Sequence, residues 1–256
     1  MVSVTHRIDQ VKQPRGGYVN PKQMQVHYVG GNSAPVNNKV ENVHPSLMGL
    51  VVDYLSRLAI GSDPRMIFRV GLRGAMSLGM STLSEALADV DSLTPGLVDA
   101  DAILAACRLS SFSVYRAGIA YYRPDAVIVP DETTAAHIEL MVNRARAFFE
   151  EHGPITLDGF TFPGGLTDIV TGGDGDFLTE DTLWDFKVSV APPSNKRTLQ
   201  LLMYYLMGKK SLHPEFQSVT HLGVSDGRQV HLRRAVTASS TWLGWCSLSA
   251  VGAVSE

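Results

Sequence analysis

The sequence predicts a mixed α/β chain: an N-terminal helical region followed by a core of helix, three strands, helix and further strands. Apolar residues recur at helical spacing through residues 44–120 and again through Glu132–His152. From residue 155 the pattern changes to short alternating strands, with glycine-rich segments between them. Asp226-Gly227 is a turn signal between two more strand-like runs. Together these observations predict an antiparallel hairpin in the middle of an α/β core.

The chain divides into four predicted parts. Residues 1–43 form an irregular arm, punctuated by glycine and proline, which either lies over the rest of the protein or is a partly disordered terminus. Residues 44–125 are the helical region and residues 126–240 are the core. In the tail, residues 241–256, the pattern favours neither helix nor strand.

Composition excludes several classes of protein. Of the 256 residues, 45% are hydrophobic and 18% charged, which is typical of a globular domain. The cysteines Cys107 and Cys246 lie far apart, with no disulfide framework or zinc-ligand spacing, so reduced cysteines and a cytoplasmic location are expected. The N-terminus has no secretory signal, and no apolar run reaches the roughly 18 residues of a membrane span. We therefore expect no membrane partner.

Start and stop signals place the helices. Pro45, Asp63-Pro64 and Thr94-Pro95 each open a predicted helix, and Gly153-Pro154 ends the helix Glu132–His152. A short linker or strand is expected over residues 121–129. Three polar side chains of the helical region are favoured as solvated or capping residues rather than members of a site, namely His44, Asp53 and Arg57.

The most informative segment is the acidic hairpin between residues 172 and 189. With Glu180-Asp181 as its two-residue turn, Asp176 lies opposite Asp185. Because strand side chains alternate, one face carries Asp174, Asp176, Leu178, Leu183, Asp185 and Lys187, and the other carries Phe177, Thr179, Thr182, Trp184 and Phe186. A slip of one residue in this register would separate the two aspartates.

Two opposed aspartates predict a metal site. Their Cβ atoms would be about 4.5–5.5 Å apart, and carboxylates at that distance repel unless a cation neutralises them. Mg²⁺ prefers such oxygen ligands together with water and phosphate. Lys187 would reach the same space, where it can hold a phosphate or position the attacking water. The alternative is a solvated face with ordinary ion pairs.

The next predicted helix spans residues 195–207, after a stop at Pro192-Pro193 and an N-cap at Ser194. Its apolar stripe is Leu199, Leu202, Met203 and Leu206. Gln200 and Tyr204 lie one turn apart beside that stripe, where they either orient a phosphate or carboxylate or serve as a surface glutamine and a packing-edge tyrosine. Lys196 and Arg197, expected to be exposed in the first turn, are candidate substrate-binding residues.

Charge is segregated along this part of the chain. Residues 153–186 contain seven acids and no lysine or arginine, whereas residues 187–234 contain eight basic residues and two acids. An acidic pocket beside a basic strip suits phosphodiester chemistry, in which a metal lies next to the substrate's phosphates.

The run Asp176…Asp185-Phe186-Lys187, followed by Gln200-x-x-x-Tyr204, resembles the PD-(D/E)XK nuclease superfamily, and within it the RecB-type branch with a QxxxY helix. The resemblance covers about residues 130–235, in the order αβββαβ. It implies a restriction-endonuclease-like core with Mg²⁺ or Mn²⁺ at the two acids. It also implies that Asp176 and Asp185 are the motif acids, that Lys187 is the catalytic lysine, and that Gln200 and Tyr204 take the helix positions.

The sequence departs from the family pattern in two ways. Gly175, not proline, precedes Asp176, and the two acids are only nine positions apart. Asp174 or Asp168 is therefore an alternative first acid. A further metal ligand is expected from the first helix of the core. Its leading candidate is Glu139, followed by His137 and Glu132.

The sequence thus predicts a metal-dependent deoxyribonuclease whose partner is DNA. The alternative is a catalytically inactive nuclease fold, either a nucleic-acid-binding module or an interaction subunit of a phage, defence or repair complex. As an interaction subunit, the protein would recruit other proteins through an exposed apolar patch on residues 44–120.

Overall fold

The computed structural model describes residues 2–28, 36–117, 129–189, 191–228 and 231–236. Over these residues the chain is mixed α/β, with one six-stranded sheet and eight α-helices. Contacts divide it into two units. Among the described residues, the sheet unit consists of 2–28, 150–189, 191–226 and 231–236, and the helical unit of 36–117, 129–149 and 227–228. Residues 118–128 and 237–256, which include most of the predicted linker and the tail, lie outside the described residues.

The sheet has the strand order β1-β6-β5-β4-β3-β2. Its strands are β1 (Gln25–Tyr28), β2 (Leu157–Phe160), β3 (Gly175–Leu178), β4 (Thr182–Lys187), β5 (His221–Asp226) and β6 (His231–Val236). Only β4 and β5 pair in parallel, and the other four pairings are antiparallel. A parallel pair requires a crossover, and helix α8 (Asn195–Lys210) supplies it.

Seven further α-helices are described. They are α1 (Val4–Arg7), α2 (Pro45–Ala59), α3 (Pro64–Ile67), α4 (Arg69–Leu78), α5 (Met80–Ser92), α6 (Ala100–Ala117) and α7 (Glu132–His152). The predicted starts at Pro45 and Pro64 are confirmed, and His44 and Asp63 cap them by accepting from backbone N–H groups. Asp53 pairs with Arg57 one turn away at 3.3 Å, as expected of a solvated helix pair. None of the helices in the described part of the chain is long and apolar enough to cross a membrane.

The third predicted helix start was wrong. Thr94-Pro95 lies in a turn, and α6 begins at Ala100. The Asp99 side chain accepts a hydrogen bond from the Ala102 N–H at 2.9 Å, which satisfies a backbone donor of the first helical turn. The aspartate cap, rather than the proline five residues earlier, marks the start of this helix.

Helix α8 is the centre of the sheet unit's core. The predicted stripe is buried or half-buried there, but Leu201, Tyr205 and Met207 on the other sides of the helix are buried as well. The N-terminal arm covers one of these sides, where Thr198 Oγ1 donates to the Val19 carbonyl at 2.7 Å. The buried Phe216 of the short 3₁₀ turn Pro214–Gln217 packs so closely that a Cβ on Gly208 would lie 2.0 Å from its ring. A helix enclosed in this way has no single apolar stripe.

The arm follows the sheet unit through its described residues 2–28. Val4 N–H donates to the Gly172 carbonyl at 2.9 Å, and β1 pairs with β6 at the edge of the sheet. The arm is thus laid over the protein, as one of the two interpretations predicted. It also contains α1 and β1, so it is less irregular than expected.

Helix α7 has the predicted bounds, Glu132–His152, but most of it belongs to the helical unit. Hydrogen bonds to residues far away in sequence hold it there. Asn42 N–H donates to Thr134 Oγ1 at 3.0 Å, and Arg144 donates to the Arg228 carbonyl at 2.9 Å. The predicted boundary at residue 126 therefore differs from the observed division, which separates α7 from the strands after it.

A buried ion network lies within the helical unit. Arg228 makes two hydrogen bonds to Glu41, of 2.5 and 2.6 Å, and both side chains are almost fully buried. His137 Nδ1 lies 3.0 Å from the same carboxylate. Burial alone would raise the pKa of Glu41, but the hydrogen bonds from Arg228 and His137 outweigh it, so the pKa lies below its ordinary value.

Glu41→Gln should destabilise the helical unit by roughly 3 kcal/mol at pH 7, because it leaves the Arg228 guanidinium buried without its counter-charge. A carboxyl with a depressed pKa stabilises the fold above its unfolded pKa, and that contribution is lost as the pH falls through the folded pKa. The gap between wild type and variant should therefore shrink below about pH 4.5. Urea denaturation at pH 7 and at pH 4 measures the difference in unfolding free energy between wild type and variant. Asp53→Asn, which removes a carboxylate from a part-exposed ion pair, is the control. A difference in unfolding free energy that does not change with pH would contradict the prediction.

Candidate functional site

The register of the β3–β4 hairpin is the predicted one. Phe177 pairs with Trp184 and Leu178 with Leu183. Beyond the last pair, Thr179 N–H donates to the Thr182 carbonyl at 3.0 Å, which leaves residues 180 and 181 as the turn. The same register, continued in the other direction, sets Asp176 opposite Asp185, so the one-residue slip does not occur.

The two hairpin faces are also the predicted ones. Leu178 and Leu183 are fully buried in the core cluster that contains α8. On the opposite face, the Trp184 ring lies 5.8 Å from the ring of His152. Since strand side chains alternate, Asp176 and Asp185 share the face that packs against α8.

Each aspartate is anchored differently. Asp176 Oδ2 accepts a hydrogen bond of 2.8 Å from the Phe186 N–H, which ties the carboxylate to the backbone of the neighbouring strand. Asp185 is only 3% exposed, and its Oδ2 lies 3.9 Å from Nε of Arg197 on α8. Positive charge beside Asp185 offsets the repulsion that two neighbouring carboxylates would otherwise feel.

The exposure predicted for Arg197 was wrong. Its side chain is 20% exposed, because the first turn of α8 directs it toward Asp185. Lys196, the preceding residue, is exposed as predicted and pairs with Asp9 of the arm at 2.6 Å. The sequence pattern places Lys196 and Arg197 at the border of the apolar stripe of the helix. It does not predict which residue each of the two side chains contacts.

Gln200 and Tyr204 form a direct contact. Gln200 Nε2 donates to the Tyr204 hydroxyl at 3.0 Å, so the predicted one-turn pairing is confirmed. The tyrosine ring is buried and stacks on Phe162, with centroids 5.2 Å apart. A Cβ on Gly173 would lie 3.1 Å from that ring, so the tyrosine also packs against the segment that leads into β3. Tyr204 is thus part of the core as well as the partner of Gln200.

The glycine before Asp176 has a packing role. Gly175 pairs with Phe160 of β2, whose ring lies over it, and a Cβ at this position would be 2.2 Å from a ring carbon. A proline would meet the same ring. The departure from the family's proline therefore follows from the aromatic residue on the adjacent strand.

The structure shows the following for the remaining candidates. Asp174 and Asp168 are exposed and outside β3. Glu139 belongs to the helical unit, where it is exposed and lines a small cavity with Asn143 and Arg146. Glu132 is also exposed there, and His137 is the partner of Glu41. Lys187 ends β4 and pairs with Asp226 of β5, while its side chain is outside the described part.

The carboxylates suit a cation that keeps part of its water shell. In the described residues, no group of three or more histidine, cysteine, aspartate or glutamate side chains converges on one point. Two aspartates are the oxygen donor set that Mg²⁺ accepts when waters and substrate phosphates complete its six positions. The donor set therefore fits Mg²⁺, and also Mn²⁺.

Comparison of the chain with protein-family models finds no match, and comparisons with curated proteins and with solved structures find none either.

Asp176→Ala should cost about 1–3 kcal/mol of unfolding free energy, because the Phe186 N–H loses its acceptor. Asp176→Asn keeps an acceptor oxygen and relieves the repulsion from Asp185, so it should stay within about 1 kcal/mol of wild type. Asp174→Ala, two residues away and exposed, should change stability by less than about 0.5 kcal/mol. Urea denaturation of the three variants tests this order. Equal stabilities of Asp176→Ala and Asp174→Ala would show that the hydrogen bond contributes nothing.

Proposed function

We propose that the chain is a metal-dependent nuclease that hydrolyses DNA phosphodiester bonds. The observation that carries the proposal is the hairpin register, which sets Asp176 opposite Asp185 on the face that packs against α8. The order α7, β2, β3, β4, α8, β5 and the parallel β4–β5 pair support a restriction-endonuclease-like core. The Gln200–Tyr204 contact supports a RecB-type helix beside it.

Each residue has a role in this proposal. Asp176 and Asp185 hold Mg²⁺ or Mn²⁺, which when bound lowers the pKa of water and polarises the scissile phosphate. Lys187 positions the attacking water or holds a phosphate oxygen. Gln200, anchored by the Tyr204 hydroxyl, orients the substrate.

Two basic residues of α8, Arg197 and Lys196, also have roles in this proposal. The Arg197 guanidinium lies beside Asp185, so it balances part of the carboxylate charge before a cation binds. When a phosphate enters, the same guanidinium can donate to its oxygens, as arginine does with phosphate in many proteins. In this proposal Lys196, at the exposed start of α8, contacts phosphates further along the strand.

A second candidate is an interaction subunit without catalysis. The helical unit exposes several large apolar side chains, at 60% for Met66, 57% for Met76, 75% for Met80 and 51% for Leu97. Exposed methionines are adaptable contacts in protein interfaces. In this alternative the unit recruits a partner, and the Asp185–Arg197 pair serves only the stability of the fold.

Purified wild-type protein should cut plasmid DNA only when Mg²⁺ or Mn²⁺ is added. Asp176→Asn, Asp185→Asn and Lys187→Ala should each lower the cleavage rate by about 10²-fold or more, because each removes a ligand or a positioning group. Asp174→Asn removes the same charge close by and should retain the wild-type rate. Gel assays over a cation titration measure this. Cleavage that persists in both Asp176→Asn and Asp185→Asn would contradict the nuclease proposal. If wild type leaves DNA intact with either cation, the interaction subunit is favoured.

Gln200→Ala should lower the cleavage rate more than it lowers stability. Gln200 is half-buried and only one of its hydrogen bonds, to Tyr204, is described, so its loss should cost about 1 kcal/mol in unfolding. Gln217→Ala, in an exposed turn, is the matched control. Rates and urea midpoints are measured together. Equal rates for the two variants would mean that Gln200 only supports the packing of Tyr204.

A further inference from the structure

A cleft lies between the N-terminal arm and the start of α8. Its volume is about 520 Å³, and its walls are Arg15, Gly16, Asn20, Pro21, Lys22 and Asn195. All six residues belong to the sheet unit. None of them is acidic and none carries a large apolar side chain, and the polar groups of the cleft are cations, amides and backbone.

The two cations of the cleft are uncompensated. Arg15 and Lys22 are both exposed, and neither side chain has an ion-pair or hydrogen-bond partner among the described residues. The acid closest to them in the described arm sequence, Asp9, is already paired with Lys196 at 2.6 Å. The N-terminus of the 16-residue helix α8 adds partial positive charge at the same place.

The cleft is fixed to the helix. With its side-chain amide in the orientation that satisfies both atoms, Asn195 donates to the Gly16 carbonyl and accepts from the Gly17 N–H, each at 3.2 Å. Gly16 and Gly17 have φ of +90° and +82°, and a Cβ on Gly17 would lie 3.0 Å from Cγ of Asn195. Glycine is therefore needed for this close approach, which fixes the backbone next to Arg15.

The cleft and the partner of Asp185 both involve the start of α8. Asn195, in the wall of the cleft, is only two residues from Arg197, whose Nε lies 3.9 Å from Asp185. Nη1 of Arg197 is buried, and within the described residues it has no hydrogen-bond partner. A rise of about 1.5 Å per residue places both groups at one end of α8. Asn195 and Arg197 therefore both belong to the first turn of α8.

We propose that this cleft is a second phosphate-binding subsite, which holds the backbone of a nucleic-acid strand beside the carboxylates. The inference rests on the proposed function for the strand's identity, but the binding itself needs neither metal nor catalysis. Arg15 and Lys22 contact successive phosphates of that strand. Successive phosphates match cations spaced along an open cleft, whereas a peptide would lack an apolar anchor there.

The test is fluorescence anisotropy with a labelled single-stranded DNA oligonucleotide in EDTA, repeated at several salt concentrations. Arg15→Ala combined with Lys22→Ala should weaken binding about tenfold or more at low salt. The slope of log affinity against log salt should fall by about 1.4, since each lost single-strand phosphate contact contributes about 0.7. Lys12→Ala combined with Lys39→Ala removes the same charge from exposed positions outside the cleft and should keep the wild-type slope.

The outcomes separate this inference from the nuclease proposal. If wild type binds and the cleft variant loses affinity and slope while no cation supports cleavage, the cleft stands and the nuclease proposal fails. If DNA is cut with Mg²⁺ but both double variants bind alike, the cleft inference is overturned. Failure of wild type to bind the oligonucleotide would also overturn it. Urea midpoints equal to wild type show that the variants are folded.

Discussion

The backbone pairing of β3 with β4 is the interaction on which the candidate site depends. Two residue pairs set it, and the same register decides that Leu178 and Leu183 enter the core. Because a strand has a period of two, a core that requires those leucines also requires Asp176 and Asp185 to face α8. The hydrophobic free energy of the leucines thus holds two carboxylates close together, an arrangement that would be unfavourable by itself.

Helix α8 links this hairpin to the rest of the sheet unit. It contributes Leu199 and Met203 to the core, Arg197 beside Asp185, and the Gln200–Tyr204 contact. Its burial on several sides leaves few ways for the first turn to shift. Side chains that are packed in this way hold their geometry with little loss of entropy when a ligand binds, as a preorganised site requires.

Local patterns in the sequence predicted much of this arrangement. The hairpin register follows from alternation about a two-residue turn, and the bounds of α7 follow from its apolar spacing and the Gly153-Pro154 stop. Contacts between distant residues could not be predicted in this way. The Asn42–Thr134 hydrogen bond joins residues 92 positions apart, and the approach of Arg197 to Asp185 depends on how α8 crosses the sheet. The ring of Phe160 over Gly175 likewise requires knowledge of which strands are neighbours. The metal, the substrate and the role of Lys187 stay predictions.

The two units interleave along the chain. Among the described residues, the sheet unit takes its strands from both ends of the sequence, and the helical unit includes residues 227–228 between β5 and β6. Neither unit is therefore a continuous stretch of sequence, and no single truncation releases one of them whole. Deleting the first 43 residues would remove an edge strand and the arm over α8, although those residues lie far from the acidic motif in sequence. A domain swap that cut the chain at the boundary predicted near residue 126 would therefore divide the helical unit in two.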